Sequence, residues 1–479
     1  MRRLTLIAVI ALVVLSGCTT PIAGPDDAVE ADGTLGTVGG YAHDDVLGID
    51  GSEALTEAEL RAVTYRTMAR LEVLRGLEFE EDVTVEVVSR EEYRAETGWA
   101  DEPASPFTNE LWRAAFVVDG GTDVNEAYDE LYGDAVAGYY SGGEIVLVAD
   151  DPDGVRVDRR VLVHELVHAL QDQHFGLSRE GERLDEQRAE LGLIEGEAEY
   201  LPERYDERCG EEWECLETPP RVVGEPTDRG FNVGLFLSIY APYSEGPAFV
   251  SHLEETDGWE AVDAAYDGRP ASTAQLIHPE RYPDVGPLEV TVEDRSSDGW
   301  APIPDDGNES EDEPRTETIG EATLFGTLWA NGVIDRPLTE GAGEHSPYNY
   351  SHPITDGWAG DTFVAYENGD ETGHVWTLAW DSEADAERFA AAYGELLERN
   401  GATELEDGFY RIPDEEFAGA YHVDHAGDAV TIVGGPTVEA LAEIHDVETP
   451  ASSAATSRSP STPTSPAPAQ PAASAATAR

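Results

Sequence analysis

Residues 164–168 read His-Glu-Leu-Val-His, which places two imidazoles four positions apart with a carboxylate beside the first. In a helix, residues four apart share one face, so the rings of His164 and His168 can converge on one metal ion while Glu165 points to the adjacent flank. This pattern is typical of zinc hydrolases, in which the carboxylate acts on the metal's water. Because five residues also match by chance, the neighbouring elements have to support the prediction.

The sequence around the motif predicts a buried or half-buried helix. Asp158 is placed to cap its N terminus. The apolar residues of this helix are Val161, Leu162, Leu166, Val167, Ala169 and Leu170. A charged, solvated helix would not carry such a run, so the context favours an active-site helix.

A catalytic zinc ion keeps three protein ligands and one open position, so the next element should supply a third ligand. A second helix over residues 193–200 would put Glu195 and the small Ala198 on one side, so that Glu195 faces the metal and the helices approach closely. We therefore predict one Zn²⁺ per chain, bound by His164, His168 and Glu195. Glu197 would point elsewhere. His174 is the competing ligand, but it lies only six residues beyond His168 and is more typical of a histidine on the surface or behind the ligands.

The motif and the downstream glutamate together, HELVHALQDQ followed by IEGEA, resemble those of gluzincins, the zinc metallopeptidases with HExxH and a later Glu ligand. From about residue 40 to about 440 the chain also resembles a surface lipoprotein family with a zincin core that is common in halophilic archaea. The segments that carry this second resemblance are 136–140, 243–247, 272–282 and 357–361. The resemblance implies a zincin-like catalytic domain and a peptidase with Glu165 as general base, but no known substrate.

Residues 145–148 follow a Gly-Gly turn and precede the HExxH helix, so they predict a strand. The resemblance implies an edge strand that pairs with extended substrate; the alternative is an interior strand of the same sheet. Zincins also use a Tyr or His to donate a hydrogen bond to the developing oxyanion, and Tyr243 and His278 are the candidates. Tyr243 is equally consistent with a turn anchor, and His278 with a turn cap. Asp172 is either a carboxylate that holds the second nitrogen of His168 or a helix-surface acid.

The charge composition indicates where the protein works. The formal net charge is -70, from 29 Lys+Arg against 99 Asp+Glu, and every basic residue is Arg. Such a surface repels itself at low ionic strength and is tolerated in concentrated salt, where the Debye length falls to about 3 Å. We interpret this as adaptation to brine rather than polycation binding. Nucleic acid and anionic membrane surfaces are poor partners for it.

The cysteines and the N terminus indicate an extracytoplasmic protein. Arg2 and Arg3 precede an apolar run over 4–15, and Leu-Ser-Gly-Cys at 15–18 resembles a lipobox, so we predict lipidation at Cys18 and attachment to the membrane by that anchor. An uncleaved anchor helix or plain secretion is the alternative. Cys209 and Cys215 enclose five residues and predict a local disulfide; two thiols are the alternative.

The predicted fold class is α+β, with a zincin-like catalytic domain and a smaller α+β C-terminal subdomain. The predicted segments are a lipoprotein signal peptide at 1–18, a flexible acidic spacer at 19–57, the catalytic domain at 58–293, an acidic surface insertion at 294–316, the C-terminal subdomain at 317–446 and a disordered Ala/Ser/Thr/Pro tail at 447–479. The functional hypothesis is a lipid-anchored zinc peptidase at the cell surface that acts on peptides or proteins. The alternatives are a noncatalytic surface binding protein that keeps the scaffold, and a hydrolase of non-peptide amides.

Overall fold

The computed structural model describes residues 34–49, 51, 54–97, 103–132, 137–149, 157–217, 231–304, 314–406, 408–414 and 416–448. The predicted signal peptide, Cys18 and nearly all of the predicted tail lie outside these residues. The chain adopts a mixed α+β fold, which confirms the predicted fold class. Among the described residues, no helix is both long and apolar enough to cross a membrane.

The helices are α1 (Glu57–Arg75), α2 (Arg90–Thr97), α3 (Pro106–Ala114), α4 (Val124–Tyr132), α5 (Arg159–Phe175), α6 (Leu184–Arg208), α7 (Val233–Asp257), α8 (Trp259–Asp267), α9 (Thr273–Ile277), α10 (Glu321–Ala330), α11 (Glu383–Arg399) and α12 (Val438–His445). The strands are β1 (Thr37–Val38), β2 (Tyr41–Ala42), β3 (Thr84–Ser89), β4 (Gly138–Ser141), β5 (Glu144–Ala149), β6 (Ala301–Pro302), β7 (Thr316–Glu317), β8 (Trp358–Asn368), β9 (Glu371–Trp380), β10 (Thr403–Glu404), β11 (Phe409–Ile412), β12 (Gly419–Ala426) and β13 (Ala429–Gly435).

A three-stranded sheet lies beside the HExxH helix, in the order β3-β5-β4. β5 is its central strand, parallel to β3 and antiparallel to β4. The prediction that residues 145–148 form the edge strand is therefore wrong, and the interior alternative holds. The cause is the hairpin between β4 and β5: Gly142 and Gly143 both have positive φ (56° and 91°), which lets β4 fold back onto β5 and become the edge.

The HExxH helix is α5. Asp158 caps it by accepting a hydrogen bond from the backbone N–H of Arg160 at 2.8 Å, as predicted. Its apolar face is buried in a cluster shared by α1, the three-stranded sheet and α6, which includes Met68, Ile145 and Leu166. These contacts fix the orientation of the two motif imidazoles.

The helix that carries Glu195 is α6, and it packs against α7 almost backbone to backbone. A Cβ on Gly196 would overlap the backbone of Gly246 on α7, and a Cβ on Gly246 would overlap the carbonyl of Gly192. Ala198 lies in the cluster shared with α5, so this small residue faces the HExxH helix as expected. Glycine toward α7 and alanine toward α5 therefore set the position of Glu195 between the two helices.

The C-terminal part contains an eight-stranded sheet in the order β10-β11-β12-β13-β9-β8-β6, with β7 also paired to β8. The largest core joins it to earlier helices, because Leu111 of α3 and Leu235 of α7 share a cluster with Phe363 and Trp376. The C-terminal subdomain is thus not packed separately from the preceding chain.

Two predicted segment boundaries need correction. Residues 34–49 were expected to be part of a flexible spacer, but β1 and β2 pack on α1, with Val38 buried in the same cluster as Tyr65. Both ends of the predicted insertion 294–316 join the sheet, as β6 and β7; residues 305–313 lie outside the described part. Apolar packing on α1 holds β1 and β2, and backbone pairing with β8 holds β6 and β7, although the surrounding composition is acidic.

The predicted disulfide is present. Cys209 and Cys215 are joined directly after the C terminus of α6. Nearby, the Glu214 carboxylate accepts hydrogen bonds from the backbone N–H groups of Leu47 and Gly48 and pairs with Arg66. The disulfide loop therefore connects the Glu195 helix to the N-terminal hairpin region and α1.

Candidate metal centre

His164, His168 and Glu195 converge at one point between α5 and α6. The two imidazole Nε2 atoms are 3.1 Å apart, and Glu195 Oε2 lies 3.3 Å from His164 Nε2 and 3.4 Å from His168 Nε2. Tetrahedral ligands that each sit about 2.0–2.1 Å from a zinc ion are separated from one another by about 3.3 Å. All three observed separations match that value, so the donor atoms fit a zinc ion.

The Glu195 carboxylate supports the same fit. Its Oε2 is buried and has no hydrogen-bond partner within the described residues, although it faces both imidazoles. A buried carboxylate oxygen without a partner is unfavourable unless a cation binds there. The imidazole of His164 is 15% exposed, while those of His168 and the Glu195 side chain are 6% and 3% exposed, so the site opens to solvent on the His164 side.

The charges around the imidazoles favour a cation at this point. Burial lowers the pKa of His164, but the nearby carboxylates of Glu195, Glu165 and Glu199 outweigh it and raise the pKa to about 9. Burial opposes ionisation of Glu195, yet the two imidazoles hold the pKa of its carboxyl far below the usual range. The cluster therefore retains negative carboxylates that stabilise a bound positive charge.

The ring of His168 is oriented by Gln171. His168 Nδ1 and Gln171 Oε1 are 2.9 Å apart. The amide nitrogen of Gln171 donates to the carbonyl of Ile194 at 2.9 Å, which turns the amide oxygen toward the imidazole. Nδ1 is thus the donor, and Nε2 keeps its lone pair for a metal.

Asp172 does not have the predicted contact with His168. Its carboxylate accepts a hydrogen bond from the Tyr140 hydroxyl of β4 at 2.8 Å. The prediction is wrong because α5 turns Gln171, which is 1% exposed, toward α6 and directs Asp172 to the sheet. Asp172 instead connects α5 to the edge strand β4.

Gln171 also belongs to a buried polar network that sequence reasoning missed. Its amide nitrogen lies 2.9 Å from the Tyr266 hydroxyl and 3.2 Å from Glu197 Oε2. Glu197 in turn pairs with the buried Arg75 of α1. Glu197 therefore points away from the metal position, as predicted, and the network ties the orientation of His168 to α1, α6 and α8.

Two further acids complete the surroundings of the imidazoles. Glu199 Oε1 is 3.6 Å from His164 Nδ1, so it faces the second nitrogen of that ring. Its spacing of four residues from Glu195 on α6 was the available signal. Burial raises the pKa of the Glu165 carboxyl, which also interacts with both motif imidazoles.

Arg179 is a cation near the site that the sequence analysis did not identify. It lies in the connection between α5 and α6 and interacts electrostatically with Glu195 and with Tyr243 of α7. Its Nη1 is buried and has no hydrogen-bond partner among the described residues. Arg179 thus interacts with both Tyr243 and the Glu195 carboxylate. The available signal in the sequence was the position of this arginine between the two helices that carry His164, His168 and Glu195.

His278 and His174 are not part of this site. His278 lies 3.0 Å from Glu321, on α10, and belongs to a separate group of side chains, so the prediction that it faces the oxyanion is not retained. The cause is tertiary, because α9 packs against α10. His174 lies 2.8 Å from the backbone carbonyl of Glu78, in agreement with the surface alternative.

A family model described as Domain of unknown function (DUF8575) matches residues 308–445. The match covers less than a third of the chain and does not include α5 or α6. No curated protein and no solved structure matches the chain. The resemblance to gluzincins and to the haloarchaeal surface family therefore stays a prediction based on the motifs.

Proposed function

We propose that the chain is a zinc-dependent peptidase with a zincin-like site on α5 and α6. The observation that carries the proposal is the set of three separations among His164, His168 and Glu195, each close to the spacing of tetrahedral zinc ligands. The orientation of His168 by Gln171 and the buried, unpaired oxygen of Glu195 support the same ligand set. One zinc ion at this site follows from it.

Zinc bound to these ligands would supply a Lewis acid that lowers the pKa of water to about 7 and polarises a carbonyl. Glu165 is the proposed general base, because it flanks His164 on the same helix and its buried carboxyl interacts with both motif imidazoles. A carboxyl whose pKa is raised by burial accepts a proton from water and returns it to a leaving amine more readily near neutral pH.

Arg179 and Tyr243 are the proposed donors to the substrate's carbonyl oxygens. The buried Nη1 of Arg179 has a free N–H group, and the guanidinium interacts with both Tyr243 and Glu195. A donor that stabilises a developing negative oxygen is worth about 10²–10³ in kcat. Tyr243 keeps its predicted role in this proposal, and Arg179 takes the place of His278.

The proposed substrate is an extended peptide that pairs with the edge of β4. This strand runs next to α5, and within the described residues no other strand occupies its outer edge. Backbone pairing at such an edge holds a chain extended without a demand for one side-chain type. The proposed location is the cell surface in concentrated salt, with a lipid anchor at Cys18.

Glu165→Gln in the full-length chain, assayed in molar salt, tests the proposal. We expect the wild type to cleave members of a peptide library, and we expect this cleavage to stop when a chelator removes the zinc. Glu165→Gln should keep the zinc and lose cleavage by at least about 10²-fold. Glu203→Gln is the matched control, because that α6 carboxylate pairs with His345 instead of the motif and should leave cleavage unchanged.

Two results would contradict parts of the proposal. A wild-type chain that holds zinc but cleaves no peptide in a broad library supports a noncatalytic binding protein. Cleavage confined to non-peptide amides would keep the zinc site and overturn the substrate class.

A further inference from the structure

A second group of metal-binding side chains lies apart from the HExxH site. His278 Nε2 is 3.0 Å from Glu321 Oε1 and 3.8 Å from Asp356 Oδ1, and one donor atom of each residue lies within 4.8 Å of the others. His278 directly follows α9, Glu321 opens α10, and Asp356 precedes β8. We propose that His278, Glu321 and Asp356 bind a second divalent transition-metal cation, of the Zn²⁺ or Mn²⁺ type, which fastens α9 to the C-terminal region.

The donor types fit such an ion. One imidazole and two carboxylates suit zinc, manganese or iron, whereas Ca²⁺ and Mg²⁺ take oxygen ligands almost throughout. The observed separations of 3.0 and 3.8 Å bracket the roughly 3.3 Å between tetrahedral zinc ligands, so small side-chain shifts would seat the ion. The Asp356 side chain is 36% exposed, which gives the ion a path from solvent.

The second observation is an unpartnered oxygen at the centre of the group. The Glu321 side chain is fully buried, and its Oε2 has no hydrogen-bond partner within the described residues. An unpaired buried oxygen is costly for the fold, and a cation bound between the three side chains would remove that cost.

One further carboxyl and one guanidinium lie close to the group. The buried Glu245 of α7 adds a third carboxyl that interacts with His278 and Glu321. Arg281 is the opposing positive group, but its guanidinium donates to two backbone carbonyls and to the Asp381 carboxylate. The alternative is a simple ion pair between a protonated His278 and Glu321, which needs no metal.

Metal binding by full-length chains that carry His164→Ala and His168→Ala distinguishes a second cation site from a metal-free ion pair between His278 and Glu321. That background removes both imidazoles of the first site, so any remaining metal reports on the second one. Metal content after dialysis against Zn²⁺ in molar salt, and the shift of Tm on adding Zn²⁺, are the readouts. Neither depends on peptidase activity, so failure here and failure of the proposed function are distinguishable.

We expect about one zinc per chain in this background and a rise of several degrees in Tm on adding Zn²⁺. Adding Glu321→Gln should abolish both. Asp356→Asn, at a partly exposed position that is safer for folding, should weaken binding by about tenfold or more. Glu317→Gln is the matched control: this buried carboxyl lies four residues earlier and accepts from the backbone of Leu184, so binding should persist.

Two outcomes overturn the proposal. One is a background chain that binds no zinc and shows no shift in Tm, which leaves only the ion pair between His278 and Glu321. The other is zinc binding that survives both Glu321→Gln and Asp356→Asn, which would place the ion elsewhere.

Discussion

The substitution Gln171→Met tests whether the polar network behind His168 sets zinc affinity. Methionine fills nearly the same volume, but its thioether sulfur is only a weak acceptor for the hydrogen bond from His168 Nδ1. Loss of such a contact behind a metal ligand costs about 10–100-fold in affinity, or roughly 1.4–2.8 kcal/mol. The change also removes a donor from the carbonyl of Ile194 and from Glu197, so we expect the free energy of unfolding without metal to fall by about 2–4 kcal/mol.

The assay is competition for Zn²⁺ with a chromophoric chelator in molar salt, on chains whose folding is first checked by circular dichroism. Asp172→Asn is the matched control, because Asp172 is the next residue on α5 but its side chain faces Tyr140 and not His168. This substitution should change the zinc Kd by less than about twofold. Equal affinities for Gln171→Met and wild type, or a larger loss in Asp172→Asn, would refute the reasoning.

Three further predictions concern the helix crossing, the arginine and a buried ion pair. Gly196→Ala should lower the free energy of unfolding, measured by denaturant titration, by about 1–3 kcal/mol, because the added methyl meets the backbone of α7. It should also weaken zinc binding. Gly286→Ala, which adds a methyl in open space, should change neither the stability nor the zinc affinity. Arg179→Gln should lower kcat/KM by about 10²-fold with zinc content unchanged, and unaltered kinetics would remove it from the site. Burial would raise the pKa of Glu110, but Arg113 and His374 lower it from 4.5 to about 2. The free energy of unfolding of the wild type should therefore fall by about 3 kcal/mol as the pH drops from 5 to 2. In urea unfolding curves, Glu110→Gln should be less stable than wild type at pH 7 and should lack this part of the decline.

The parts of the site that depend on one helix could be predicted from the sequence. The spacing of His164 and His168 fixes their relative direction in any helix, and the same rule put Glu195 and Ala198 on one side of α6. The cap by Asp158 and the local disulfide were also within reach, because each joins residues close in the chain.

The parts that depend on how elements meet could not be predicted. Whether Gln171 or Asp172 faces His168 is decided by the rotation of α5 against α6, and that rotation follows from contacts far apart in the chain. Arg179 lies in a loop, where no periodicity indicates direction. His278 was assigned to the wrong site because the packing of α9 on α10 leaves no trace in the local sequence.

Anomalous diffraction at the zinc absorption edge, from crystals grown with Zn²⁺ in molar salt, would show directly whether His164, His168 and Glu195 bind zinc. We expect a peak between α5 and α6, about 2.0–2.1 Å from the Nε2 atoms of His164 and His168 and within bonding distance of Glu195. Density for zinc elsewhere only, or a Glu195 carboxylate turned away from an ion held by the imidazoles, would contradict it.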